Sequence, residues 1–411
     1  MKLLLPLREM LLMATLLLLW STLFLVIKSS FVYSEPDTIY VPDDYERIQW
    51  AIGNATAGDT IFIRSGTYHE HLTVNKPLTL AGENSETTII DGSGEPQTII
   101  EITASNVVIQ ALTAQNCSTA GTYAGIKVSG HSCHITGCVV TQAYWGIFVT
   151  SQSNIITENV ARGNSHGISL YSSSNTTVEA NNVTKNTVGI SLALSFDNTV
   201  QHNRALDSSM GGQGIILSQD SHDNIIVEND LIGNYHGMWL SGSFNNSIVN
   251  NTIANNKLLG IELATSSNNI FYHNNFVNNP KHIVIDNGSI DTWNHSYPSG
   301  GNYWHGYAGI DENTGPNQDQ PGSDQIWDNP YIINANNRDD YPSTTPYSNI
   351  TSLLPDEESQ NGQDNQPMQI DTSSIWMSAL AGLLVVVMVT VVFWKRSAKS
   401  RKRKSRAMIR K

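Results

Sequence analysis

By type and spacing, the side chains best suited to chemistry are Glu158, Glu179, His202, Glu228 and His273. Each stands four residues after an asparagine, namely Asn154, Asn175, Asn198, Asn224 and Asn269, and Asn250 holds the same place after Asn246. Carboxylates beside an imidazole supply the proton donor and acceptor that acid–base work on a sugar needs. In this reading Glu228 is the acid or base and His202 its partner. A solvated polar column would have the same composition. Phe148, Tyr171 and Trp239 flank the column and offer flat apolar faces for sugar rings. A separate oxygen-rich stretch, Asp311-Glu312-Asn313-Thr314-Gly315 with Asp319 downstream, suits a structural calcium. Asp311, Asn313 and Asp319 would be its ligands, although the loop lacks the spacing of an EF-hand.

What must position these groups is a repeat. Gly125-Ile126-Lys127-Val128 recurs in kind at Gly146, Gly167, Gly189, Gly214, Gly237 and Gly260, at intervals of 21, 21, 22, 25, 23 and 23 residues. A fixed period in this range marks a solenoid, whose units bury their apolar faces only by stacking. Alternation within each unit predicts two inward ladders, Ile126 to Ile261 and Val128 to Leu263. Between them lies an outward column of Lys127, Phe148, Ser169, Ser191, Ile216, Trp239 and Glu262. Stacking places like residues about 4.8 Å apart along the axis. Asparagines at Asn154, Asn175, Asn198, Asn224, Asn246 and Asn269, and again at Asn159, Asn203, Asn229, Asn251 and Asn274, suit left-handed turns and ladders of amide hydrogen bonds. The rung glycines are expected to supply a further special backbone position. Some 22 residues per unit leave room for three short strands and no helix. Strict alternation would send the Glu158–His273 column inward with Ile156 and Ile226, so its exposure requires a bend at that point.

The segment Ile39-Tyr40-Val41-Pro42-Asp43-Asp44-Tyr45, followed by Gly58-Asp59-Thr60-Ile61 and Gly66-Thr67-Tyr68-His69-Glu70, resembles the opening of pectate-lyase-like right-handed β-helix proteins. The later Gly-Ile and Asn-rich units resemble the repeats of NosD-like (CASH-repeat) proteins. Gly301-Asn302-Tyr303-Trp304, Asp328-Asn329-Pro330-Tyr331 and Asp339-Asp340-Tyr341-Pro342 are similar to the tail of archaeal NosD-like chains. The resemblance implies an all-β, right-handed parallel β-helix. It spans lyases, epimerases, binding proteins and a copper-site maturation protein, so function must come from a site. The family's copper association draws attention to His131, Cys133, His134 and Cys138, soft ligands without strict CxxC or HxxxH spacing. Cys133 and Cys138 also fall in register with Asn154 and Asn159, which suits small buried turn residues. A lyase would need an Asp cluster beside an Arg or Lys base. Arg204 is near the polar column, but no such cluster surrounds it.

Residues 1–34 read as a signal peptide or signal anchor, 35–289 as the β-helix with regular repeats over 125–282, and 290–342 as an irregular cap. Residues 343–374 read as a flexible linker, 375–394 as a transmembrane helix and 395–411 as a basic cytoplasmic tail. This order predicts a single-pass membrane protein with its β-helix outside the cell. At the amino end, Asp43 and Glu46 read as a capping pair for a short helix that turns Ile48, Ala51 and Ile52 toward the first rung. Residues 35–374 carry 10 basic against 35 acidic residues, a net of −25. That charge disfavours nucleic acid and polyuronates as partners and leaves surface glycans or envelope proteins. Nine Asn-x-Ser/Thr sequons are possible glycan acceptors, at Asn54, Asn116, Asn175, Asn182, Asn245, Asn250, Asn287, Asn294 and Asn349. No nucleophile elbow, phosphate loop or Ser-His-Asp order is present.

Overall fold

Each repeat folds as three short strands, and successive repeats stack so that every strand pairs in parallel with its counterpart one coil away. The computed structural model describes residues 36–353 apart from 120, 210 and 287, together with Thr15. Three parallel sheets run along the stack. The first has 11 strands, from Thr38–Val41 to Ile270–Tyr272. The second has 11, from Gly66–Tyr68 to Tyr303–Trp304, and the third has 10, from Leu72–Val74 to Lys281–Ile285. The result is a parallel β-solenoid of right-handed type.

The third sheet contains the repeated glycines. Its register pairs Ile126 with Ile147, Ile147 with Ile168, Ile168 with Ile190 and Ile190 with Ile215, so the inward ladders form as the alternation predicts. These side chains are fully buried and merge with Ile156, Val200, Ile226 and Phe271 of the first sheet in one continuous core. The rung glycines do not adopt positive φ, contrary to expectation. Space is what they supply. A Cβ on Gly214 would lie 2.6 Å from the carbonyl oxygen of Gly237 in the next coil.

Left-handed residues instead occupy the turns between the strands, among them the turn between the first and second sheets. Glu158, His202, Glu228 and His273 have φ of 57°, 54°, 55° and 58°. This turn is the bend that the exposed column required.

Inside the turns run three amide ladders. Asn154, Asn198, Asn224, Asn246 and Asn269 make the first, with Thr176 completing it. The sequence spacing assigned Asn175 to this ladder. Asn175 is instead an exposed left-handed turn residue, one position out of register. The second ladder runs from Asn159 through Asn181, Asn203, Asn229, Asn251 and Asn274 to Asn302. A third, which the sequence analysis overlooked, includes Asn164, Asn186, Asn234, Asn256 and Asn279. Each ladder asparagine oxygen accepts a backbone N–H from the coil before it, which pairs turn amides that are buried from water.

The amino end is closed by a helix, α1 (Ile48–Asn54), with Ile48, Ala51 and Ile52 buried as expected. Its expected Asp43/Glu46 cap is not formed. The Glu70 carboxylate accepts the Ile48 and Gln49 N–H groups at 3.0 and 3.1 Å, and Asp43 pairs with Arg64. A distant carboxylate does the work of a local cap because the first rung brings Glu70 under the helix.

At the carboxyl end Trp293 stacks on Phe271 at 4.3 Å and Trp304 on Phe276 at 4.4 Å, extending the core by flat rings. Asp339, fully buried, accepts the Asn302 N–H at 2.7 Å and the Trp304 Nε1–H at 2.9 Å, which terminates the second ladder. Residues 343–353, read from sequence as linker, form a strap against the second sheet. Ser348 bonds Thr252 and Asn275, and Ile350 is buried against Ala254 and Val277. Among the described residues no helix is long and apolar enough to cross a membrane. The expected transmembrane segment 375–394, the tail 395–411 and residues 1–34 apart from Thr15 lie outside the described residues.

Candidate functional site

Two surface features collect the candidate residues. The larger is a groove of about 670 Å³ on the outer face of the third sheet. Its floor is the outward column in which Thr73, Glu101, Lys127 and Phe148 are register partners on successive strands. The Lys127 amine lies 2.6 Å from the Glu101 carboxylate. Tyr123 and Trp145 line one side, and Thr150 and Tyr171 also border the groove. Phe148 is 8% exposed and Trp145 5%, because the two rings stack on each other at 4.9 Å with 15° between planes. Tyr144 and Tyr171 pack against them. Behind Trp145 the His166 ring lies at 4.2 Å, and burial pushes its imidazole down to about 3, so it backs the indole as a neutral ring.

Phe148 and Tyr171 are therefore brought together as the spacing suggested. Trp239 is not with them. It is in the same column, but four strands further along, past Ser169, Ser191 and Ile216. There it neighbours Glu262, whose carboxylate lies 3.1 Å from buried His236. Sequence reasoning missed Trp145, Tyr123 and Glu101. Trp145 precedes a rung glycine at the same position as His166 and His236, a signal that was available. Glu101 was hidden because 26 residues separate it from Lys127, longer than the regular period.

The second feature is the left-handed turn edge. His202 sits with Nε2 2.5 Å from Glu228 Oε2 and Nδ1 3.8 Å from Glu179 Oε1. All three are substantially exposed. Glu179 is not in the turn column, whose place in that coil is taken by Ala180. It is a strand residue paired with Thr157 and Gln201, and the Gln201 amide donates to it at 2.9 Å. Glu158 is exposed in the turn two coils before His202. His273 is separated from the others, with Nε2 2.7 Å from the Ser299 carbonyl and its ring stacked on Tyr347 at 4.3 Å. Beside Glu228 a notch of about 570 Å³ includes Arg204, Asp230 and Asn250 and is bounded by the strap at Tyr347 and Leu353.

The soft-ligand set does not form a metal centre. Cys133 and Cys138 are buried in the core, where their thiols donate to backbone carbonyls, while His131 is exposed at a turn. Burial raises both thiols, Cys138 to about 12, which opposes the thiolate a metal needs. His134 lies in a strand of the first sheet, beyond the turn that holds His131. Among the described residues no three His, Cys, Asp or Glu side chains are placed to share an ion. At the carboxyl cap, Asp311 accepts hydrogen bonds from Ser323 Oγ and the Asp324 and Gln325 N–H groups. Asn313 donates to Asp328, and Asp319 is exposed apart from them. The loop's oxygens thus hold its own backbone.

These features define a class: a parallel β-solenoid with an aromatic, hydroxyl-lined groove on one sheet. The chain belongs to the NosD family, described as periplasmic copper-binding protein (NosD), whose model matches residues 52–236 and 209–309. The residues present do not fit a copper site, so no step is derived through that metal. A curated relative, a cell surface glycoprotein of Methanothermus fervidus, is 29% identical over 319 residues, covering 63% of this chain and 51% of the relative. The chain therefore spans about half the length of that relative. Among solved structures, the Dettilon tailspike protein is similar at 15% identity and a TM-score of 0.46, over 66% of each chain. DFA-IIIase from Arthrobacter chlorophenolicus A6 is similar at 13% identity and a TM-score of 0.44, over 61% of this chain and 84% of that one.

Proposed function

We propose that the protein is a cell-surface β-helix that binds glycan chains in the groove on its third sheet, exposed outside the cell and anchored through residues 375–394. The observation that carries this reading is the groove itself. Tyr123 and Tyr171 offer partly exposed ring surface beside the largely buried Phe148, and Thr73, Ser129 and Thr150 offer hydroxyls around it. Stacking on rings combined with a hydroxyl rim is the chemistry a sugar chain fits. The name of the M. fervidus relative supports the location and a glycosylated surface. The test is binding of full-length protein, held in mild detergent, to an immobilised polysaccharide panel. Wild type should bind at least one member, and Tyr171→Ala should lose most of that binding while still unfolding in a single cooperative transition. Equal binding by the variant would refute the assignment of the groove.

A second reading, favoured by the 2.5 Å His202–Glu228 contact beside an open notch, is a carbohydrate-active hydrolase, lyase or epimerase at that edge. New reducing ends or unsaturated sugars from a polysaccharide panel, lost in Glu228→Gln, would establish it. No product from any member would remove it.

A further inference from the structure

We propose that the groove selects uncharged pyranose polysaccharides and rejects polyuronates, and that the Lys127–Glu101 pair sets this choice. The proposal rests on the glycan-binding reading above and names its ligand.

The groove contains two charged side chains, and they cancel. Lys127 lies 2.6 Å from Glu101, and the other lining residues are hydroxyls, one amide (Gln97), aromatic rings and Leu72. A uronate carboxylate entering this floor would have to take the Lys127 amine from Glu101 while lying against Glu101 itself. A close like-charge contact in a partly desolvated site opposes that exchange. The surrounding protein adds to the penalty, since residues 35–374 carry a net charge of −25. A neutral sugar meets no such barrier. The paired amine still has donors to offer and the carboxylate still has lone pairs, so hydroxyls can bond to either without breaking the pair.

Shape argues for a chain rather than a single ring. The groove crosses strands of five successive coils, containing Leu72, Glu101, Lys127, Phe148 and Tyr171. At about 4.8 Å per coil, the lining extends some ~19 Å along the axis. A monosaccharide would leave most of it empty. The polar and aromatic residues segregate along this length, with Thr73, Glu101 and Lys127 at one end and Phe148 and Tyr171 at the other.

The experiment uses full-length protein in detergent, neutral polysaccharides (glucan, mannan, xylan) and polyuronates (polygalacturonate, alginate), at low and at physiological salt. Wild type should bind a neutral polysaccharide at least about tenfold more tightly than either polyuronate, and short oligomers of that polysaccharide more tightly as they lengthen. Glu101→Gln keeps the shape and frees the Lys127 charge. It should raise polyuronate affinity by about tenfold or more, and added salt should erase the gain. Lys127→Gln should weaken neutral binding and leave polyuronates unbound. Both substitutions are partly exposed, and a thermal melt confirms the fold. Equal wild-type affinity for neutral and uronate chains, or no gain in Glu101→Gln, would overturn the selectivity while leaving glycan binding intact. Binding to no polysaccharide at all would overturn the glycan-binding reading, and this proposal with it.

Discussion

Replacing Asn229 by alanine tests what holds the coils together. Asn229 is fully buried in the second amide ladder. Its Oδ1 accepts the Asn203 N–H at 2.9 Å, and its Nδ2 donates to the Val200 carbonyl at 2.8 Å and to Asn251 Oδ1 at 3.0 Å. The Asn203 side-chain amide would survive the change, because it also donates to the Val178 and Gln201 carbonyls. The Asn203 backbone N–H would not, and a stranded buried donor costs about 1–3 kcal/mol. The lost donations to Val200 and Asn251 add roughly 0.5–1.5 kcal/mol each. A total of roughly 2–6 kcal/mol follows, a large share of the ~5–15 kcal/mol of an ordinary domain. In a solenoid the damage falls on both neighbouring interfaces at once. The assay is guanidinium unfolding followed by far-UV circular dichroism. The control is Asn245→Gly, at an exposed left-handed turn where the side chain makes no hydrogen bond and glycine tolerates φ of 57°. The control should shift stability by less than about 0.5 kcal/mol. If Asn229→Ala costs no more than the control, the ladders are decoration and the account of the stack is wrong.

Stability should also depend on pH through the carboxyl cap. Burial raises Asp339 to about 7 and Asp291 to about 6, so the folded state holds their protons more tightly than the unfolded chain does. Their contribution is full below about pH 4 and is lost as pH rises through 6 to 7. Asp59, Asp91 and Asp286 are lowered, so their contribution is lost on acidification below that range. The melting temperature should be higher at pH 5 than at pH 8, and Asp339→Asn should flatten the difference; an unchanged slope would refute the assignment. Of the sequons, Asn175 and Asn245 are exposed and their side chains make no hydrogen bond, whereas the Asn182 Oδ1 is buried. Peptide mass mapping of protein from its native host should find glycan at Asn175 and Asn245 and none at Asn182, and the reverse pattern would exclude this assignment. The three thiols, Cys117, Cys133 and Cys138, are buried and raised by burial, so a thiol reagent at pH 8 should label none of them until denaturant is added. Rapid labelling of native protein would show that the core opens.

The regular part of the fold was legible because one physical rule repeats. Side chains in like positions share one environment, so Ile126 to Ile261 announce their burial by recurrence alone. Legibility failed where a residue departs from its column for a local reason. Asn175 was misplaced because the sequence offers two candidates, Asn175 and Thr176, and the hydroxyl of Thr176 takes the ladder position, accepting the Asn154 N–H at 3.4 Å. That error carried Glu179 into the turn column by the same single step. The third amide ladder escaped notice because it begins at Ala143 and Ser208 interrupts its asparagines. The groove was half visible. Phe148 and Tyr171 are in regular coils, but Glu101 belongs to an earlier coil of different length, so its contact with Lys127 needed coordinates. The helix cap was misread because its carboxylate, Glu70, comes from 22 residues downstream of Ile48.

The interval of 25 residues between Gly189 and Gly214, against 21 to 23 elsewhere, is accommodated in the turn around Asp207–Gly212 while the strands on either side keep their register. Growth in this architecture is thus quantised. Duplicating one whole unit lengthens the rod by a single step and disturbs nothing already built, whereas an insertion of a few residues must bulge at a corner or shear every ladder below it. A lineage using this scaffold can tune how far a binding face extends by gene-segment copying alone, with selection acting on reach before it acts on any individual side chain.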